Sequence, residues 1–152
     1  MTLQNLERLV ERRQLIRHRP ARREIENHLK VAREFAAAAL LPGVPEAIRF
    51  SNLYDAAHAI ALAGLKLAGY RAPDGEGNRQ LTLGCVEQTL ALKKGSAAAF
   101  AEANRLRSLM QYQGADVDVP DHLFQTLESA VSEGIVEIDI RLKGIKNGGM
   151  RT

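Results

Sequence analysis

Apolar residues recur every three or four positions along most of this chain, the spacing that gathers them on one face of a helix with about 3.6 residues per turn. In the first segment Leu3, Leu6, Val10 and Ile16 recur among Arg, Glu and Gln, which predicts an amphipathic first helix ending near Arg19 and Pro20. A second helix is predicted over residues 21–41, with Ile25, Leu29, Ala32, Phe35 and Ala36 on one face, and the run Pro42-Gly43-Val44-Pro45 stops it. That turn is short, so the third helix, residues 46–68, should return antiparallel. It is apolar over most of its surface, through Ile48, Leu53, Ala56, Ala57, Ile60, Ala61 and Leu65, as expected of the central helix of a core.

Residues 69–78 carry the local signals of a loop, and their glycines are too irregular for a phosphate-cradling motif. A fourth helix is predicted over 80–92 and a fifth over 96–113, with Ser96 as its N-cap. Residues 114–120 read as an exposed connector. A sixth helix, 120–143, carries the stripe Leu123, Leu127, Val131, Ile135, Ile138 and Leu142; its β-branched end makes a strand over 135–140 the competing reading. The pattern holds no convincing strand pair and no internal repeat. It predicts an all-α fold, an antiparallel bundle of five or six helices, divided into a basic N-terminal helix (1–20), the bundle (21–143) and a disordered polar tail (144–152).

Composition agrees with helices around an aliphatic core: 45% of the 152 residues are apolar, Trp is absent and aromatics make up 5%. The formal charge of +3 is unevenly placed. Residues 1–30 hold eight Arg and Lys against four acids, and seven arginines fall between Arg8 and Arg23 with Glu11 the only acid among them. Such a segment can attract a phosphate backbone or an acidic partner, or be a solvated face.

The single cysteine, Cys85, excludes an internal disulfide. No stretch approaches the roughly 20 apolar residues of a membrane span, and the N-terminus lacks a signal pattern, so no membrane association and a cytoplasmic location are expected. His18, His28, His58 and His122 are scattered without the spacing of a zinc site, so neither a metal nor another cofactor is expected. Cys85 lacks a sequence-adjacent base and no serine has a nucleophile-elbow context.

Two groups of polar residues stand out. Tyr54, Asp55 and His58 sit within the most apolar helix, where buried polar groups must find partners. Arg105, Arg107 and Tyr112 lie together near the end of the fifth helix, Arg105 and Tyr112 two turns apart on one face. Arginines there also have a plain structural use, offsetting the negative end of the helix dipole.

The stretch from Phe50 to Arg71, with its small-residue-rich helix, Tyr-x-x-Ala-like start and Gly-Tyr-Arg exit, resembles the central helix of HEPN domains (higher eukaryote and prokaryote nucleotide-binding). The run Arg105-Leu-Arg-Ser-Leu-Met-Gln-Tyr112 resembles their fourth-helix motif, and residues 118–143 resemble their final helix. The resemblance covers roughly residues 22–143. It implies a symmetric homodimer with an RNA- or nucleotide-linked role, as the helical member of a toxin–antitoxin-like pair with a nucleotidyltransferase-type partner.

HEPN ribonucleases carry an Arg and a His separated by four to six residues, and the two copies of a dimer cut RNA without metal. In that chemistry Arg holds the scissile phosphate, and His, with an ordinary pKa near 6.5, exchanges a proton with the ribose hydroxyl or the leaving oxygen. Here Tyr112 follows Arg107 where His belongs, and aligning Arg105 instead puts Met110 there. A tyrosine with an ordinary pKa near 10 would need a shift of about three units, about 4 kcal/mol, to ionise at neutral pH. The resemblance therefore implies a degenerate nuclease in which Arg105 and Arg107 bind phosphate, Tyr112 stacks or hydrogen-bonds, and Asp55 and His58 orient them from the facing helix. The alternatives are a structural or protein-interaction module, in which Asp55 and His58 only stabilise an assembly, and a weak metal-independent ribonuclease using Arg107 and Tyr112.

Overall fold

The most apolar predicted helix is the axis of the fold. In a computed structural model describing residues 3–74, 78–113 and 118–145, that helix is α3 (Glu46–Leu67). Around it lie α1 (Leu3–Glu11), α2 (Arg22–Ala38), α4 (Asn78–Gly84), α5 (Val86–Thr89), α6 (Ser96–Gln113) and α7 (Asp121–Gly144), with a two-residue ribbon of β1 (Ile16–Arg17) and β2 (Tyr70–Arg71). Helix accounts for 74% of the described residues, so the all-α bundle is as expected. The α2–α3 pair is the most extensive contact, and α4, α5, α6 and α7 all touch α3 as well. None of the described helices is long and apolar enough to cross a membrane.

Small residues let the neighbours of α3 come close. Ala56, Ala57, Ala59, Ala61 and Ala63 are buried along it, and Gly64 lies where a Cβ would stand 2.7 Å from Leu90 Cγ. From the other side Gly134 of α7 meets Ile60, whose Cδ1 occupies the space a Cβ would need. Of the residues expected to be on the core face of α3, only Ile48 is exposed, at the helix start. In α7 the residues Leu123, Leu127, Val131, Gly134, Ile138 and Leu142 are buried at helical spacing, so the β-branched segment 135–140 is helical and the competing strand is absent there. Packing of α7 against α3, α2 and α6 outweighs the local β preference.

The N-terminal segment departs most from expectation. Helix α1 stops at Glu11, well before Pro20, because the chain turns left-handed at Arg13 (φ 61°). Arg13 N–H donates to the Val10 carbonyl at 3.0 Å and Gln14 N–H to the Leu9 carbonyl at 2.8 Å, the paired bonds of a Schellman motif. The left-handed position usually holds glycine; an arginine there costs about 1–2 kcal/mol. The turn changes which side chain reaches the interior: Leu15 is buried (1% exposed) and Ile16 is not (37%).

Beyond it, Ile16 pairs with Arg71 and Arg17 with Tyr70 in an antiparallel ribbon, where no strand pair was expected. Leu6, Leu15, Leu65, Tyr70 and Cys85 form a second small core beneath it. The first segment is thus pinned to the C-terminal end of α3.

The predicted fourth helix is broken at Cys85 into α4 and α5. Glycine at 84 weakens the helix, and at the break the Cys85 N–H bonds the Thr82 carbonyl three residues back at 3.3 Å rather than the carbonyl four back. Gly95 (φ 101°), rather than Ser96, is the capping position of α6: its carbonyl takes the first helical bond from Ala99, and Ser96 is buried within the helix. The cap comes from a distance. The Glu87 carboxylate of α5 accepts the Gly95 and Ala97 N–H groups at 3.3 and 2.8 Å. The expected connector at 114–117 and most of the expected tail, 146–152, lie outside the described residues.

The Gly134–Ile60 contact makes a direct test of this packing. Gly134→Ala should lower stability in denaturant unfolding by about 1–2 kcal/mol, the overpacking cost exceeding the roughly 1 kcal/mol of helix propensity gained. Adding Ile60→Val, which removes the offending methyl, should recover most of that loss. A Gly134→Ala protein as stable as the parent would contradict the close approach of α3 and α7.

Candidate functional site

Three elements converge on a cleft of about 710 Å³. Helix α3 contributes Tyr54, Asp55, His58 and Leu62, spaced three and four apart along one side. The segment from β2 to α4 contributes Ala72, Asn78, Arg79 and Thr82, and α6 contributes Asn104, Arg107, Ser108, Gln111 and Tyr112. Tyr54, Asp55 and His58 are polar positions in the largely apolar middle of α3, and they line the cleft together with Asn104, Arg107 and Ser108 of α6.

Arg107 is the best-held charge in the cleft. Its Nη1 donates to Asp55 Oδ1 at 3.1 Å, with side-chain exposures of 16% and 27%, and its guanidinium lies 5.1 Å from the centroid of the Tyr54 ring. Arg79 approaches the same ring at 5.8 Å. Both distances are within cation–π range. Among the described residues no carboxylate pairs with Arg79, and the described lining holds two arginines to one carboxylate, Asp55.

The Tyr54 hydroxyl donates to Asn104 Oδ1 at 2.7 Å, tying α3 to α6. Burial raises the Tyr54 pKa against the lowering effect of the Arg79 and Arg107 charges, so the phenol remains protonated and donates. His58 is held neutral: burial, with the positive charges of Arg79 and Arg107 nearby, pushes its pKa down to about 4.

Behind His58 runs a second polar chain linking α2 to α3. Lys66 Nζ donates to His28 Nε2 at 3.0 Å and stands 3.4 Å from the Glu24 carboxylate, which also meets His18 at 3.1 Å. Burial first, and then Lys66, pushes His28 down to about 4. Burial alone would raise Glu24, but the Ala21 N–H, His18 and Lys66 together hold it at about 2.

Of the six residues singled out in the sequence, the cleft brings together Tyr54, Asp55, His58, Arg107 and Tyr112. Tyr112 stands at the rim, 84% exposed. Arg105 lies outside the lining; its guanidinium is bound to Glu102 one turn back, through Nε at 3.0 Å and Nη2 at 2.5 Å. The helical wheel explains the separation, since Arg105 is about 100° around from Asn104 whereas Arg107, Ser108 and Gln111 cluster beside it. Met110 packs against the main core, and His122 lines a different groove, between α6 and α7. Arg79 and Asn104 carried no sequence signal of their own.

Among the described residues no group of three or more His, Cys, Asp and Glu side chains is placed to hold a metal ion. The Cys85 thiol is buried and its pKa raised to about 11, so it is a core side chain rather than a nucleophile.

The two depressed histidines give a defined acid response. His28 and His58 have folded-state pKa values of about 4 against an ordinary value of about 6.5, so the unfolded chain binds more protons between these limits. Their contribution is fully present above pH ~6.5 and is lost as the pH falls toward ~4. Unfolding should take up about two protons in that window, a slope of up to about 2.7 kcal/mol per pH unit. His28→Gln or His58→Gln should each remove about one proton from the linkage, read from denaturant unfolding across the window; an unchanged slope would overturn the placement of these rings. No family model, curated protein or solved structure matches this chain.

Proposed function

We propose that this chain is a HEPN-like helical protein that binds RNA or a nucleotide through the α3–α4–α6 cleft, as a homodimer, with nuclease activity lost. The observation that carries this reading is the pairing of Arg107 and Arg79 around Tyr54 in an open cleft with an exposed tyrosine on its rim. Asp55 engages one guanidinium nitrogen of Arg107 and fixes the side chain. The remaining N–H donors are left for phosphate oxygens, to which the guanidinium fork is matched. Tyr112 offers an aromatic face to a base, and Asn104 and Ser108 supply polar atoms between the two.

The loss of nuclease activity follows from the same residues. Neither Met110, packed against the core, nor His122, in another groove, can serve the cleft as a base. His58 is the imidazole that lines it, and a pKa of about 4 makes it a poor match for proton transfer near neutrality. Ligand retention without turnover fits a regulatory member of a two-protein system, in which a nucleotidyltransferase-type protein is the proposed partner.

Binding of adenosine monophosphate and of a labelled oligouridylate, measured in chelator, tests the reading. Arg79→Gln should weaken both by about 1.5–3 kcal/mol, the value of a charge-assisted hydrogen bond. Arg107→Gln combined with Asp55→Asn, which leaves no unpaired buried charge, should do the same without cleavage in any variant. Unaltered binding in both proteins would reject the cleft and favour a structural module. Cleavage abolished by Tyr112→Phe would instead establish a metal-independent ribonuclease.

A further inference from the structure

The arginine-rich first segment has a different geometry from the one its sequence suggests, and the difference bears on what it can bind. Arg8 lies in the last turn of α1, Arg12 is the first residue beyond the helix, its N–H still bonded to the Arg8 carbonyl at 3.0 Å, and Arg13 stands at the left-handed turn that follows. All three are exposed and have no carboxylate partner among the described residues. Glu7, which could neutralise them, is engaged by the Tyr70 hydroxyl and by Arg17. The arrangement is not a loose tail. Leu6 and Leu15 anchor it in the second core, and the ribbon joins it to β2, which runs directly into Ala72 on the wall of the cleft.

Arg13 is the most telling of these residues. Its left-handed backbone is a conformation that glycine adopts without strain, yet the position holds a long cationic side chain that touches no partner among the described residues. Strain kept at an exposed site points to a use for the side chain. The chemistry of the patch favours a phosphate backbone over an acidic protein. Its permanent cations from 8 to 23 are all arginines, whose forks suit phosphate, and apart from Ile16 the α1 turn and β1 expose none of the large apolar side chains that form the centre of a protein interface.

We propose that Arg8, Arg12 and Arg13 form a second, sequence-independent contact for the RNA backbone, continuous through the β1–β2 ribbon with the α3–α4–α6 cleft. The inference rests on the reading of the cleft as an RNA or nucleotide site and extends it: the cleft holds one nucleotide and the turn holds the strand leading away from it. The backbone contact is electrostatic, releases counterions and is therefore steeply salt-dependent.

The test is the salt dependence of oligouridylate binding, followed by fluorescence anisotropy. In the triple variant Arg8→Gln, Arg12→Gln, Arg13→Gly, the slope of log K against log salt should fall by about 2, near 0.7 for each phosphate that is no longer neutralised. Arg13→Gly alone should reduce it by about 0.7 while leaving the thermal midpoint unchanged or higher, because glycine relieves the turn. Adenosine monophosphate, which is too short to reach the turn, should bind the triple variant like the parent.

An unchanged oligouridylate slope overturns the proposal even if the nucleotide still binds the cleft. A reduced slope in a protein that binds no adenosine monophosphate leaves the arginine contact standing and removes the cleft reading. Polyglutamate binding that depends on these arginines, with oligouridylate binding indifferent to them, overturns the proposal in favour of an acidic protein partner.

Discussion

Everything in this fold is arranged around a helix that has almost no free side. Helix α3 is buried by α2, α7, α4, α5 and α6, and it tolerates that crowding because its side chains are small where the neighbours are close. The contacts at Gly64 and Gly134 leave no room for a methyl group without displacement. A helix so enclosed leaves few outlets for polar residues, and the strip facing α4 and α6 is one of them. Tyr54, Asp55 and His58 use it, and their partners, Asn104, Arg107 and Arg79, have to be delivered to that strip by other elements. The cleft is therefore a consequence of the core rather than an addition to it.

That dependence explains how the charges in the cleft can be held so deep. Arg107 is mostly covered, which would be costly for an unpaired guanidinium, but Asp55 and the Tyr54 face supply the interactions that water would have made. The same enclosure keeps both His28 and His58 neutral. Lys66 remains among them because Glu24 lies alongside. Asp55 is paired with Arg107 and Lys66 with Glu24, each across two helices, so these contacts also record how α2, α3 and α6 sit against one another.

Much of the architecture was legible in the residues, because helical spacing survives wherever one face is buried. Ile25, Leu29 and Ala32 in α2, most of the α3 face, and Leu123 through Leu142 in α7 follow it. The end of α1 was hidden because its left-handed position is an arginine, where the usual signal is glycine. The ribbon was hidden because two residues are too few to show alternation, and the break at Cys85 because it is one backbone bond, from Cys85 N–H to the Thr82 carbonyl, in a segment whose apolar spacing runs on through it. In the cleft, Asp55, His58, Arg107 and Tyr112 could be singled out from two helices read separately. Arg79 and Asn104 could not, since their importance comes only from the meeting of three elements. Arg105 looked equivalent to Arg107 in the sequence, and only the helical angle and the nearby Glu102 separate them.

The β1–β2 ribbon and the small core beneath it join residues near position 10 to residues near positions 70 and 85. During synthesis the first segment leaves the ribosome long before Leu65, Tyr70 and Cys85 exist to receive Leu6 and Leu15. In that interval Leu6 and Leu15 have no core to enter, so the second core, unlike the α2–α3 pair, can close only after residues 50 or more positions downstream have been made.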